Sequence, residues 1–255
     1  MSPLPDALWI NVSAPLQGLD RPLLQILSQH TLIAQWEYIQ TSDEPNSLET
    51  ALVVLQDYLK DHHRPIHLLG HSTGGLLGLL YARQHPERVR SLTLFSVGVN
   101  PAIDWQSHYY TQRRLLPCDQ QTILQQMVYS LLGFFPKDTT QTLLKLLEQD
   151  LYQSLSPHSL VRSMSLLPIS VEIPLLVCGS VDDVVVDPNQ LRGWRQYLYH
   201  SASRLWVCPG GRYFFHYFYP EQVSEQIIQF WSTVLSSKPA SPDQSSIDVP
   251  VKAST

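Results

Sequence analysis

Cationic side chains are scarce in this 255-residue chain: 17 lysines and arginines stand against 22 aspartates and glutamates, a net charge of −5. So few cations offer no basic face to a phosphate backbone, and nucleic acid is not expected as a partner. Three cysteines (Cys118, Cys178 and Cys208) make no disulfide framework, so a reducing, cytoplasmic setting is expected. No apolar run approaches the roughly 18–20 residues that a membrane span needs. The residues after Met1 lack the basic-then-apolar order of a secretory signal. His62, His63 and His67 cluster without the spacing of metal ligands, and neither a metal nor an organic cofactor is expected. What the chain does have is apolar content. Hydrophobic residues make up 44% and charged residues only 15%, enough to bury one sizeable core.

Apolar runs at Ala7–Val12, Thr31–Trp36, Ile66–Leu69, Val89–Phe95, Ile173–Cys178 and Arg204–Cys208 read as strands. Helical spacing separates them over Leu19–Gln29, from the Asn46/Glu49 capping pattern to about Lys60, from Leu76 to His85, over Pro188–Leu198 and over Glu221–Leu235. This alternation predicts an α/β fold, a mostly parallel sheet with helices on both faces. Between about 99 and 170 the rhythm breaks into helical periodicity without a strand, notably Gln121–Leu132 and Thr140–Leu155, predicting a helical cap insertion. Residues 1–235 are thus expected as one domain, with 236–255 a disordered tail poor in apolar anchors.

The most informative segment is Gly70-His71-Ser72-Thr73-Gly74-Gly75, set between an apolar strand and an apolar helix. Glycines at 70 and 74 permit a turn too tight for side chains, which lifts Ser72 to the amino end of the following helix. Helix dipole and free N–H groups there favour developing negative charge, as nucleophilic attack on a carbonyl requires. His71 should point away from such a site.

This elbow, with the phrase Ala82-Arg83-Gln84-His85-Pro86-Glu87-Arg88-Val89 after its helix, resembles the α/β-hydrolase fold family over roughly residues 7–235. The resemblance implies a serine hydrolase with Ser72 as nucleophile and the Thr73 N–H as an oxyanion donor. Asp182, three residues past Gly179, takes the position of the acid, and its neighbour Asp183 could substitute for it. Both Pro209-Gly210-Gly211 before and Pro220-Glu221 after place Tyr213, not a histidine, in the position of the general base. A phenol with a pKa of ~10 is a poor base at neutral pH. His216, three residues on, is then the best available base. The strand that should end in His-Gly instead ends Asn11-Val12-Ser13, which leaves half of the oxyanion hole in question.

Six of the seven residues from Tyr213 to Tyr219 are aromatic. They read either as packing beneath the insertion or as a rim that binds an apolar ligand or a protein partner. On the second reading Tyr213, Phe214, Trp105 and Tyr109 line a substrate pocket, with His108 and Tyr110 nearby. Two functions follow: hydrolysis of a small or lipophilic ester or related acyl compound, or a catalytically silent relative acting as a ligand-binding or protein-interaction module. Tyr213 is the residue that divides them.

Overall fold

The structure, a computed structural model, describes residues 5–39, 47–100, 102–156 and 171–236. Strands β1 (Ala7–Asn11), β2 (Ile33–Glu37), β3 (Ile66–His71), β4 (Val89–Phe95), β5 (Leu175–Ser180) and β6 (Arg204–Cys208) form one sheet. Their order is β2-β1-β3-β4-β5-β6, and every neighbouring pair is parallel. The central strands are buried on both faces, which explains why they read as continuous apolar runs and not as alternating ones. The side-chain period of two divides them between two cores. Leu8, Ile10, Leu68, Leu94 and Val177 pack on one face, Ala7, Trp9, Leu69, Phe95 and Cys178 on the other. Helices α2 (Leu48–Leu59) and α3 (Thr73–Gln84) contribute to the first core, α1 (Arg21–Leu27) and α9 (Pro220–Ser236) to the second.

Among the described residues, three helices lie between β4 and β5: α4 (Trp105–Leu115), α5 (Gln120–Leu131) and α6 (Lys137–Gln153). Asp104 opens α4 through a capping box with Ser107, and Asp119 caps α5. The insertion is not a separate body, since its Leu124, Met127, Leu131 and Leu147 are buried in the same core as Leu8 and Leu68. The cap expected over 99–170 therefore appears as these three helices, while residues 157–170 and the tail beyond Ser236 lie outside the described residues. After β5 come α7 (Pro188–Arg192) and the short α8 (Phe215–Phe218). Ser47, not Asn46, caps α2, accepting from the Thr50 N–H at 3.2 Å; Asn46 is also outside the described residues.

The chain runs from β1 to β2 on one side and then returns to β3 on the other. A parallel sheet opens a crevice at the carboxyl ends of its strands where the order reverses. The residues after β1 and the turn after β3 meet there.

Candidate active site

Ser72 sits in that crevice between β3 and α3, with φ 50° and ψ −122°. A left-handed φ at a residue other than glycine costs on the order of 1–3 kcal/mol, so the surroundings must hold it. They do so by close approach. A Cβ on Gly74 would lie 2.3 Å from the Ile10 carbonyl oxygen, and one on Gly70 would lie 2.5 Å from the Gly74 carbonyl carbon. The elbow read from the sequence is thus present, with its serine raised and its helix behind it.

The partner of Ser72 is Tyr213. The Tyr213 hydroxyl donates to Ser72 Oγ at 2.5 Å, while its oxygen accepts from the Trp105 N–H. Burial, and then the nearby Asp104 carboxylate, hold this phenol well above its ordinary pKa. A group that donates to the serine and keeps its proton is the opposite of a general base. The Tyr213 main chain is fixed as firmly: its carbonyl receives His71 Nε2 at 2.9 Å and the Ser96 hydroxyl at 2.9 Å.

His216 is not brought to Ser72, which corrects its expected role as base. Its Nε2 lies 3.0 Å from Asp20 Oδ1, and the ring is fully buried among Trp9, Phe95 and Phe215. The bond to Asp20 holds it there, and the His71 ring packs against both candidates, with centroids 4.7 Å from Tyr213 and 4.9 Å from His216. His71 also departs from expectation, because it lines the cavity beside Ser72. Burial, and then His216, hold its pKa well below the usual value, so it is a neutral donor to the Tyr213 carbonyl.

The two candidate acids face different ways. Asp182 Oδ1 accepts from the Ser180 hydroxyl at 2.5 Å and from the Arg212 N–H at 2.8 Å, near the surface. Burial works against its charge, yet these hydrogen bonds leave its pKa below the ordinary value. Asp183 turns inward, accepting from the Val185 and Val186 N–H groups on Oδ1 and meeting Ser96 Oγ on Oδ2 at 3.0 Å. Burial raises its pKa from 3.8 to about 6. Ser96, itself at φ 47°, has one proton for two acceptors, Asp183 and the Tyr213 carbonyl. A protonated Asp183 resolves the conflict by donating to Ser96, which then donates to Tyr213.

Because the folded-state pKa lies above the unfolded one, the stabilisation from Asp183 is complete below about pH 4 and is lost as pH rises through about 6. An Asp183→Asn variant keeps the acceptor and supplies the donor. It should match the wild type near pH 4 and exceed it at pH 7 by up to about 3 kcal/mol. Urea unfolding at both pH values checks this; a gap that does not change between them would remove the buried acid from the account.

Between β1 and the insertion lies a cavity of about 30 Å³, lined by Ser72, Thr73, Tyr213, Phe214, Trp105 and Asp20 among others. At about 10–15 Å³ per water it has room for some two waters as it stands. Tyr213, Phe214 and Trp105 lie around this cavity. Tyr109 is buried against Trp105 at 6.4 Å and does not reach it. The aromatic run is mainly packing: Tyr213, Phe214, Phe215 and His216 are all buried, which overturns its reading as a partner-binding rim.

Two buried carboxylates that sequence reasoning passed over close the roof. Asp104 receives the Ser156 hydroxyl at 2.6 Å and the hydroxyl of Thr73 on the elbow itself. Asp150, on α6, receives the hydroxyls of Ser13 and Ser154, the Trp105 Nε1–H at 2.9 Å and the Gln106 amide. Burial raises the pKa of both. The Asp104-x-x-Ser107 capping pattern was legible; that its carboxylate also bonds Thr73 was not. Across the crevice, the Ser13 N–H that could serve an oxyanion is taken by Asn11 Oδ1 at 2.8 Å. Among the described residues no cluster of histidine, cysteine or acid could hold a metal ion.

The parallel sheet, the order reversal and the strained serine elbow define an α/β-hydrolase scaffold, and comparison agrees. The alpha/beta hydrolase fold family matches residues 40–148. The uncharacterized protein sll0249 of Synechocystis sp. (strain ATCC 27184 / PCC 6803 / Kazusa) is 44% identical over 241 residues, 94% of this chain and 96% of its own. The uncharacterized protein alr2406 of Nostoc sp. (strain PCC 7120 / SAG 25.82 / UTEX 2576) is 41% identical over 226 residues, 89% and 90% of the two chains. The crystal structure of a bacterial membrane phospholipase A superposes with a TM-score of 0.73 at 19% identity, covering 93% of this chain and 81% of that one. The chain belongs to the α/β-hydrolase fold family.

Proposed function

We propose that this protein binds a neutral acyl or other apolar ligand at the elbow without turning it over, with Ser72 a hydrogen-bonding anchor and the Thr73 N–H a second donor. One observation carries the reading: the base position is filled by a buried phenol that is hydrogen-bonded to Ser72 and keeps its proton. General-base assistance contributes about 10²–10⁴-fold, and a serine without it keeps its proton and stays unreactive. Asp182 and Asp183, the candidate orienting acids, have no histidine to orient.

A second reading, serine hydrolysis of an ester, is favoured by the strained backbone retained at Ser72, which a pure binding site does not need. Asp104 is its best replacement base, since it lines the same cavity and burial raises its pKa. Against this, its oxygens are already engaged by Ser156, Ser107 and Thr73. Labelling with a fluorophosphonate separates the readings. The folded wild type is expected to remain unlabelled. Labelling that disappears in Ser72→Ala and in Asp104→Asn would establish hydrolysis instead.

A further inference from the structure

Helix α4 has two unlike ends. Its first turn, with Asp104, Trp105 and Gln106, roofs the cavity; its last turn and the residues after it read Arg113-Arg114-Leu115-Leu116-Pro117 and project into water. Leu115 is 68% exposed and Leu116 45% exposed. They border an apolar groove of about 450 Å³ that continues over Cys118 and Ile123. Arg113 and Arg114 are exposed on the same turn, and Arg113 Nη1 fixes the turn by donating to the Cys118 carbonyl at 3.1 Å. Arginines at a helix carboxyl end complement its dipole. That accounts for the charges but leaves two adjacent leucines in water beside them.

We propose that this tip docks the protein reversibly on an anionic lipid bilayer, with Leu115 and Leu116 entering the interface and Arg114 meeting the headgroups while Arg113 braces the turn. Two arguments select this occupant. The charge is local and opposite to that of the chain as a whole, which is −5. The next acid along, Asp119, accepts the Thr122 N–H at 2.7 Å and balances Arg113, which leaves the charge of the tip to Arg114. The area is also wrong for a second copy. A stable protein interface buries at least about 1,000 Å² with a broad apolar centre, whereas the apolar surface here is one helix end and the residues that follow it. A bilayer needs only side-chain depth and a matching charge. Among the described residues no helix is long and apolar enough to cross a membrane, so the contact is peripheral.

Sedimentation of the full chain with phosphatidylcholine vesicles, with and without phosphatidylserine, tests the proposal. The wild type is expected to bind the anionic vesicles and to be released by high salt. Arg114→Gln should weaken that binding about fivefold and leave phosphatidylcholine unaffected. Leu115→Ser with Leu116→Ser should weaken it roughly tenfold or more, at an unchanged melting temperature because both side chains lie outside the core. Failure of the wild type to sediment, or binding indifferent to the leucine pair, would overturn it. So would dimerisation in solution that is lost in the leucine variant while vesicles are ignored, which would assign the surface to a second copy.

Discussion

A Tyr213→His variant is expected to hydrolyse a short-chain p-nitrophenyl ester at least about a hundredfold faster than the wild type, and to become labelled by a fluorophosphonate at Ser72. The argument is one of completeness. The elbow holds Ser72 at φ 50°, the helix behind it is in place, and Asp183 shares the Ser96 hydroxyl with the main-chain carbonyl of residue 213. What the site most clearly lacks is a group able to accept the serine proton. An imidazole with a pKa near 6.5 supplies one at neutral pH, where the buried phenol keeps its own proton. The clamp on the main chain of residue 213, from His71 and Ser96, does not depend on its side chain and should survive the exchange. Adding Ser72→Ala to the variant must abolish the gain. A folded Tyr213→His protein that remains inert would show that the site lacks more than its base, the spent Ser13 N–H being the next suspect.

The second large effect concerns stability. His216→Ala should cost about 3–5 kcal/mol, because it leaves the Asp20 carboxylate facing a hole where its partner stood. The imidazole is fully buried and Asp20 nearly so, their contact joins α8 to the start of α1, and Trp9 Nε1–H donates to the other Asp20 oxygen at 3.0 Å. His216→Gln, which restores a donor, should recover part of the loss. Denaturant midpoints compared with Asp20→Asn provide the measurement. A wild-type midpoint in His216→Ala would mean that the pair carries no structural weight, and would reopen a role for this histidine in chemistry.

These two residues show where the sequence was legible and where it was not. Six strands, the elbow and the helical insertion could be read because each depends on local pattern: apolar runs bounded by turns, glycines flanking a serine, capping residues before periodic stretches. The Tyr213 assignment also came from spacing, since two flanking motifs converge on it, and its side chain indeed reaches Ser72. The place of His216 could not be read, because it is decided by which way a single helical turn faces and by the His71 ring filling the gap. Asp20, Asp104 and Asp150 were invisible for a related reason. Each looks like an ordinary turn or helix-end aspartate, and only the tertiary fold brings Trp9, Thr73 and Ser13 to them. The aromatic run allowed two readings in the sequence, packing or a binding rim, and only the fold shows Tyr213, Phe214, Phe215 and His216 buried.

The roof over Ser72 changes what binding at this site means in time. With room for some two waters, the cavity has to widen before the acyl ligand proposed above fits, and the bonds from Asp104 to Thr73 and from Asp150 to Ser13 brace its wall against that. On that proposal, entry and exit both wait on the same widening. A molecule enclosed there leaves on the protein's clock, so modest affinity can coexist with long residence.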